Sequence, residues 1–142
     1  MSRILGVDYG ERRVGIALSD PSATIAQPLT VLVRRVGKRP PVRAIVDLIA
    51  QYKVAHVVVG LPLTLAGDES AWTRAVRDFG EKVAARAGVG VTFADERLTS
   101  VAAERVVRSL GLPRGERERK ERVDAAAAAI ILQGYLDQMK QG

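Results

Sequence analysis

Three places in the chain set a carboxylate where an apolar element meets its end. Asp8 closes the run Ile4-Leu5-Gly6-Val7, Asp95 and Glu96 follow Val91-Thr92-Phe93-Ala94, and Asp124 opens the Ala-rich stretch that reaches Leu132. An ionised Asp inside a strand is costly unless a cation meets it. Three gathered carboxylates push one another's pKa up unless cations neutralise them. Oxygen-only ligation, in a chain without cysteine and with one histidine, suits Mg2+ or Mn2+. Two such ions about 4 Å apart activate a water and stabilise the leaving oxygen in phosphodiester hydrolysis. Acids at element ends are also common, and for Asp124 the plainer alternative is a favourable contact with a helix dipole. Spacing alone leaves both readings open.

Cations accompany these acids. Arg97, Lys120 and Arg122 stand next to them in sequence and could hold a scissile phosphate. Arg12 and Arg13 occupy the turn after Asp8, and Arg34, Arg35, Lys38 and Arg39 fall in a Gly- and Pro-rich segment, extended by Arg43, that no acid interrupts. That segment is a candidate phosphate-contacting loop; a solvated connector is the alternative.

The elements that must position these groups follow from periodicity. Ile4–Gly10 and Arg13–Asp20 read as a β-hairpin, in which Gly10 and Gly15 leave room for backbone, metal or phosphate to come close. Thr24–Arg34 alternates as a third antiparallel strand. Val42, Ile45, Val46 and Ile49 recur at helical spacing behind Pro41. Val54–Gly60 is a continuous apolar run, as in a buried parallel strand, and His56 at its start reads as structural. Gly60–Ser70 leaves the carboxyl end of that strand, where ligands sit in α/β sheets, although a plain connecting loop fits as well. Trp72, Val76, Phe79 and Val83 mark one face of a helix to about Arg86. Val91–Arg97 is a short strand, and a helix capped by Thr99 or Ser100 follows. Arg114–Arg122 is mixed charge and reads as a mobile segment, with a loop or frayed helix start as the plainer alternative, and the last helix is taken from Val123. In that helix Asp124 shares a stripe with Ala127, Ala128 and Ile131.

The expected fold is one α/β domain over residues 1–142, a mixed sheet of about five strands with helices packed on it. A composition of 47% hydrophobic and 27% charged residues fits a soluble globular protein. The first strand begins almost at once, so a signal peptide is not expected. No apolar run reaches the roughly 20 residues of a membrane helix. Cytoplasm is the expected location, with no membrane partner. A charge of +6, from 22 Lys and Arg against 16 Asp and Glu, favours nucleic acid as the partner. Only 4% of residues are aromatic, which argues against a base-stacking platform.

Taken in order, Gly6-Val7-Asp8-Tyr9-Gly10 with Gly15-Ile16-Ala17, Val58-Val59-Gly60-Leu61-Pro62 with Gly67, Asp95-Glu96-Arg97-Leu98-Thr99-Ser100, and Lys120 with Val123-Asp124 and the Ala-rich run resemble the YqgF (RuvX) family. The resemblance covers nearly the whole chain. It implies a ribonuclease H-like fold and a nuclease of structured nucleic acid, either maturing the 5′ end of pre-16S rRNA or resolving Holliday junctions in DNA. It places the acidic site at Asp8, at the Asp-Glu-Arg motif and at Asp124, with Mg2+ or Mn2+ as cofactor. Within the motif Glu96 is favoured over Asp95 as ligand, because adjacent strand residues face opposite ways. Arg122 stands where relatives often have Lys, and the Arg34–Arg43 loop is heavier in cations. A monomer or weak homodimer is expected, since no dimer helix stands out. Two other classes share features: Asp-x-Gly before a Gly-bearing second strand also resembles the phosphate hairpin of sugar kinases and actin-like ATPases, which need two such domains, and an assembly factor could keep the fold without turnover.

Overall fold

The first two strands, β1 (Arg3–Tyr9) and β2 (Arg13–Ser19), pair antiparallel with Asp8 opposite Gly15. Their turn is closed by Gly10, whose N–H donates to the Arg13 carbonyl at 2.9 Å; a Cβ there would stand 2.6 Å from that oxygen, so only glycine fits. The computed structural model describes residues 2–34, 39–63, 67–96 and 117–141, the side chains of 117–124 and 141 excepted. The expected helix after Thr99 lies outside them.

Strand β3 (Ala26–Val33) pairs antiparallel with β2 and forms one edge of the sheet. Pro28 has no N–H to give a ladder and is tolerated at an edge; the pairing shifts register there, passing from Ile16–Thr30 to Ala17–Pro28. Between β2 and β3 the Asp20 carboxylate accepts from the Thr24 and Ile25 amides at 2.7 and 3.0 Å and from the Ser22 hydroxyl. These bonds hold its pKa down to about 2.

On the other side of β1, β4 (Val54–Leu61) and then β5 (Gly90–Asp95) add in parallel, giving the order β3-β2-β1-β4-β5. This is the mixed five-stranded sheet expected from the sequence. Its central strands read as unbroken apolar runs because both faces are covered. On one face α1 (Val42–Gln51) and α2 (Ala71–Ala87) pack Ile45, Ile49, Val76, Phe79 and Val83 against Leu5, Val7, Tyr9, Val57 and Val59. On the other, α3 (Arg117–Gln141) packs Ala127, Ala128, Ile131, Leu132 and Leu136 against Ile4, Ala17 and Val58. The small residues let α3 lie almost on the sheet backbone: a Cβ on Gly6 would come within 2.7 Å of Leu132 Cβ and 3.0 Å of the Ala128 carbonyl oxygen.

Two boundaries differ from expectation. Helix α3 starts at Arg117, inside the mixed-charge segment expected to be mobile. Arg, Glu and Lys are good helix formers, and Glu118 and Arg122 have the i, i+4 spacing and order that favour a helix. Strand β5 ends at Asp95, so Glu96 stands just past it and is released from strand alternation.

Polar side chains fix α3 over the sheet. The Gln133 amide accepts from Ala26 N–H at 2.8 Å and donates to the Thr24 carbonyl at 3.1 Å. His56 joins the Thr92 hydroxyl at 2.7 Å and stacks on Tyr135, which makes it the structural residue the sequence suggested. Burial lowers its pKa. Between that lowered value and about 6.5 the unfolded chain binds more protons than the folded one, so stability rises with pH across the window. Urea melts at about pH 5.5 and about pH 7.5 should show a loss on acidification that is smaller in His56→Gln.

Candidate active site

Alternation along β1 sends Leu5, Val7 and Tyr9 into the α1–α2 layer and Ile4 and Gly6 towards α3. Asp8 therefore belongs to the α3 face, and it is buried, with 3% of its surface exposed. One step beyond the Val7–Val59 pair, its neighbour on β4 is Gly60. On the far side of β4, Glu96 follows β5 and is likewise buried, at 6% exposed. Its side chain leans back over β4: a Cβ on Gly60 would lie 2.6 Å from Glu96 Oε1, 3.2 Å from Glu96 Cγ and 2.5 Å from Ile131 Cδ1. Strands β1 and β5 are two strand spacings apart, about 9–10 Å, and the missing side chain of Gly60 lets the Glu96 carboxyl reach into that gap. Gly15, opposite Asp8 on β2, puts no side chain on its other flank.

Helix α3 crosses the same gap. Ile131 touches Gly60 and the Ala128 carbonyl overlies Gly6. Asp124 is one turn before Ala128 and two before Ile131 on that helix, on the backbone stripe that meets these strands; its side chain lies outside the described residues. Among the described residues no trio of carboxylates or imidazoles gathers as a metal-binding group. Asp95 pairs with Leu61 on β4 and follows Phe93, whose ring packs against Gly80 of α2. Alternation sets it on the opposite face from Asp8. The fold thus sets Asp8 and Glu96 on either side of Gly60, at the carboxyl ends of the strands that flank β4, and alternation places Asp95 on the other face.

Cations gather at the carboxyl end of β1. Arg12 is exposed and Arg13 half-buried in the hairpin turn, and the Arg34 N–H donates to the Arg12 carbonyl at 2.7 Å. The Arg34 guanidinium lies 4.9 Å from the ring centre of Tyr9 and 5.7 Å from that of Trp72. Tyr9 is itself stacked between Trp72, at 5.3 Å, and Phe79, at 4.1 Å. Burial pushes the Tyr9 phenol up, with Arg34 pulling the other way. Sequence reasoning put Trp72 and Phe79 on one helix face but missed this aromatic shelf; the parity of Tyr9 with Leu5 and Val7 was the signal. Arg39 sits farther along, at the start of α1. Arg35, Lys38 and Arg97, and the side chains of Lys120 and Arg122, lie outside the described residues.

The loop after β4 is tied to α2. Ser70 caps that helix by accepting from the Thr73 amide at 3.2 Å, and the buried Thr73 hydroxyl donates to the Pro62 carbonyl at 2.6 Å. This fixes the exit of β4 beside Gly60. Among the described residues no helix is long and apolar enough to cross a membrane.

A family model described as RuvX, Holliday junction resolvase, matches residues 2–138. The chain belongs to the RuvX family. A relative from Chloroflexus aggregans is 47% identical over 94% of this chain and 92% of its own length, and one from Moorella thermoacetica is 43% identical over 98% and 97%; both carry the provisional name pre-16S rRNA nuclease. Among solved structures, Thermus thermophilus RuvC in complex with a Holliday junction substrate superposes with a TM-score of 0.58 at 17% identity, covering 99% of this chain and 96% of that one. The Fowlpox virus resolvase bound to Holliday junction DNA gives 0.58 at 10% identity, covering 96% and 98%. These likenesses establish for this RuvX chain the ribonuclease H-like fold expected from its motifs.

Proposed function

We propose that the chain is a divalent-metal-dependent nuclease of structured nucleic acid, with the 5′ end of pre-16S rRNA as its first substrate. The observation that carries this is the pair Asp8 and Glu96, two buried carboxylates on either side of Gly60, whose missing Cβ leaves room for the Glu96 carboxyl. Membership of the RuvX family and the names of its relatives support the nuclease class.

The donor set fits a hard cation. Ionised carboxylates offer only acceptor oxygens, and the chain has no cysteine to favour a softer metal. Asp8, Glu96 and Asp124 are the residues that would hold Mg2+ or Mn2+. Once bound, the ions lower the pKa of an attacking water and stabilise charge on the leaving oxygen. The protein's own residues do the rest. The sheet and α3 hold the carboxylates in a water-poor cleft, where electrostatic interactions are strengthened. Arg12, Arg13 and Arg34 stand at the rim where a phosphate strand would enter, and Arg97, Lys120 and Arg122 are the further cations assigned to the scissile region. As the water oxygen bonds to phosphorus, the bond to the sugar oxygen breaks and that oxygen takes up a proton.

Junction resolution is the second reading, favoured by the description of the family. Symmetric cleavage of a four-way junction asks for a two-fold dimer with facing sites, whereas end maturation works with a monomer or weak homodimer. The test is cleavage of a precursor 16S rRNA 5′ segment and of a four-way DNA junction in Mg2+ or Mn2+, with EDTA as control. Faster metal-dependent cutting of the RNA is expected. Preference for the junction would move the assignment to resolution, and binding without cutting in any metal would make the protein a non-catalytic assembly factor.

A further inference from the structure

The cations singled out between Arg34 and Arg43 are not all accounted for by the carboxylate site. Arg39 and Arg43 sit on the other side of the sheet, at the start of α1, and they do not stand alone there. Together with Pro40, Val42, Lys82 and Arg86 they line a cleft of about 550 Å³ between α1 and the second half of α2. Lys82 and Arg86 are one turn apart on α2 and exposed. Among the described residues that line it, four of six are cationic and none is acidic; Asp47 and Asp78, one turn from Arg43 and Lys82 on the same helices, are not among them. Among the described residues, none of the four cations takes part in an ion pair.

The backbone adds to this charge. Helix α1 begins behind Pro41 with no side-chain cap and no acid in its first turn. Val42 N–H donates to the Pro40 carbonyl at 2.8 Å, and among the described residues no side chain accepts from the first turn, so no side-chain charge there offsets the positive end of the dipole. An anion fits both features. Among the described residues the lining offers no aromatic ring to stack on and no amide or hydroxyl side chain that would read a base. Recognition limited to phosphates is the mode that positions a strand without specifying its sequence.

From these features we infer that the α1–α2 cleft is a second docking site for the phosphate backbone of the nucleic-acid substrate, away from the carboxylates and on the opposite face of the sheet. It rests on the nuclease reading and extends it. Arg34, whose neighbour Val33 pairs with Arg13 of the hairpin, and Arg39 of the cleft are only five residues apart in sequence. A substrate held at both places wraps the edge of the sheet where the strands end, so the enzyme selects an extended, structured RNA over a short strand.

The experiment measures binding of a fluorescein-labelled RNA duplex of about 30 base pairs to the full chain in EDTA, where cleavage plays no part. A failure of the nuclease reading therefore leaves this result readable. Lys82→Gln/Arg86→Gln, exposed changes of small expected effect on folding, should weaken binding about tenfold at ~150 mM salt and reduce the slope of log K against log salt by about 2. The charge-matched control Lys53→Gln/Lys140→Gln should change affinity by less than about twofold. Equal losses in both variants would reduce the effect to net charge and overturn the proposal, as would no loss in the first. A third arm adds ATP or pyrophosphate: saturable competition that disappears in Lys82→Gln/Arg86→Gln would make the cleft a small-anion site and also overturn it.

Discussion

Asp8→Asn is expected to lower metal-dependent cleavage at least about a thousandfold, some 4 kcal/mol of barrier, in a protein that still folds. The change keeps the shape of the side chain and removes only its charge. Asp8 is 3% exposed and its strand pairs with both β2 and β4, so an isosteric replacement leaves the sheet register intact. What it takes away is one anionic oxygen donor, which Asn replaces with a neutral carbonyl and an amide that cannot ligate a cation. Far-UV circular dichroism and a urea melt should match wild type while the cleavage rate collapses. A variant that cuts at near wild-type rate would remove Asp8 from the chemistry.

Gly60→Ala has the second largest expected effect, and it separates geometry from charge. The added methyl would meet Glu96 Oε1 at 2.6 Å and Ile131 Cδ1 at 2.5 Å. Both are far ends of side chains that can turn aside, so the fold should survive at a cost of about 1–3 kcal/mol. The carboxyl of Glu96 cannot turn aside and remain over the gap, and a displacement of about 1 Å at a reacting centre can cost a hundredfold in rate. Gly134→Ala provides the counterweight. A Cβ there meets nothing within 4 Å, and Gly to Ala inside a helix gains about 0.5–1 kcal/mol. The double variant should recover part of the stability lost in Gly60→Ala and none of the activity. Recovery of activity along with stability would mean that Gly60 serves packing alone.

Much of this arrangement could be read from residue order. The hairpin, the parallel β4 and the acid at the end of β1 follow from period-two alternation and from a continuous apolar run. The stripe from Asp124 through Ala128 to Ile131 is a helix-period statement, and the structure places the backbone of that stripe against β1 and β4. Other features needed three dimensions. Gly10 was visible as part of a turn, but the closeness of Gly6 to Leu132 depends on where α3 docks, more than a hundred residues on in sequence, and that of Gly60 to Glu96 on the pairing of β4 with β5. The start of α3 was missed because a run of mixed charge carries no apolar period, although its residues favour helix. Glu96 was favoured over Asp95 on alternation, yet what carries it over β4 towards the Asp8 side is the end of β5 and the bare backbone of Gly60. Lys82 and Arg86 look like an ordinary solvated stripe until α1 lays Arg39 and Arg43 opposite them.

The central claim, that carboxylates on the α3 face of the sheet hold the catalytic cation, is tested most directly by titrating Mn2+ into wild type, Glu96→Gln, Asp124→Asn and Asp95→Asn and reading bound metal by calorimetry. Binding should weaken at least about tenfold in Glu96→Gln and Asp124→Asn and stay close to wild type in Asp95→Asn, whose side chain faces the other layer. Wild-type binding in Glu96→Gln, or binding lost in Asp95→Asn, would contradict the account and move the metal to the other side of the sheet edge.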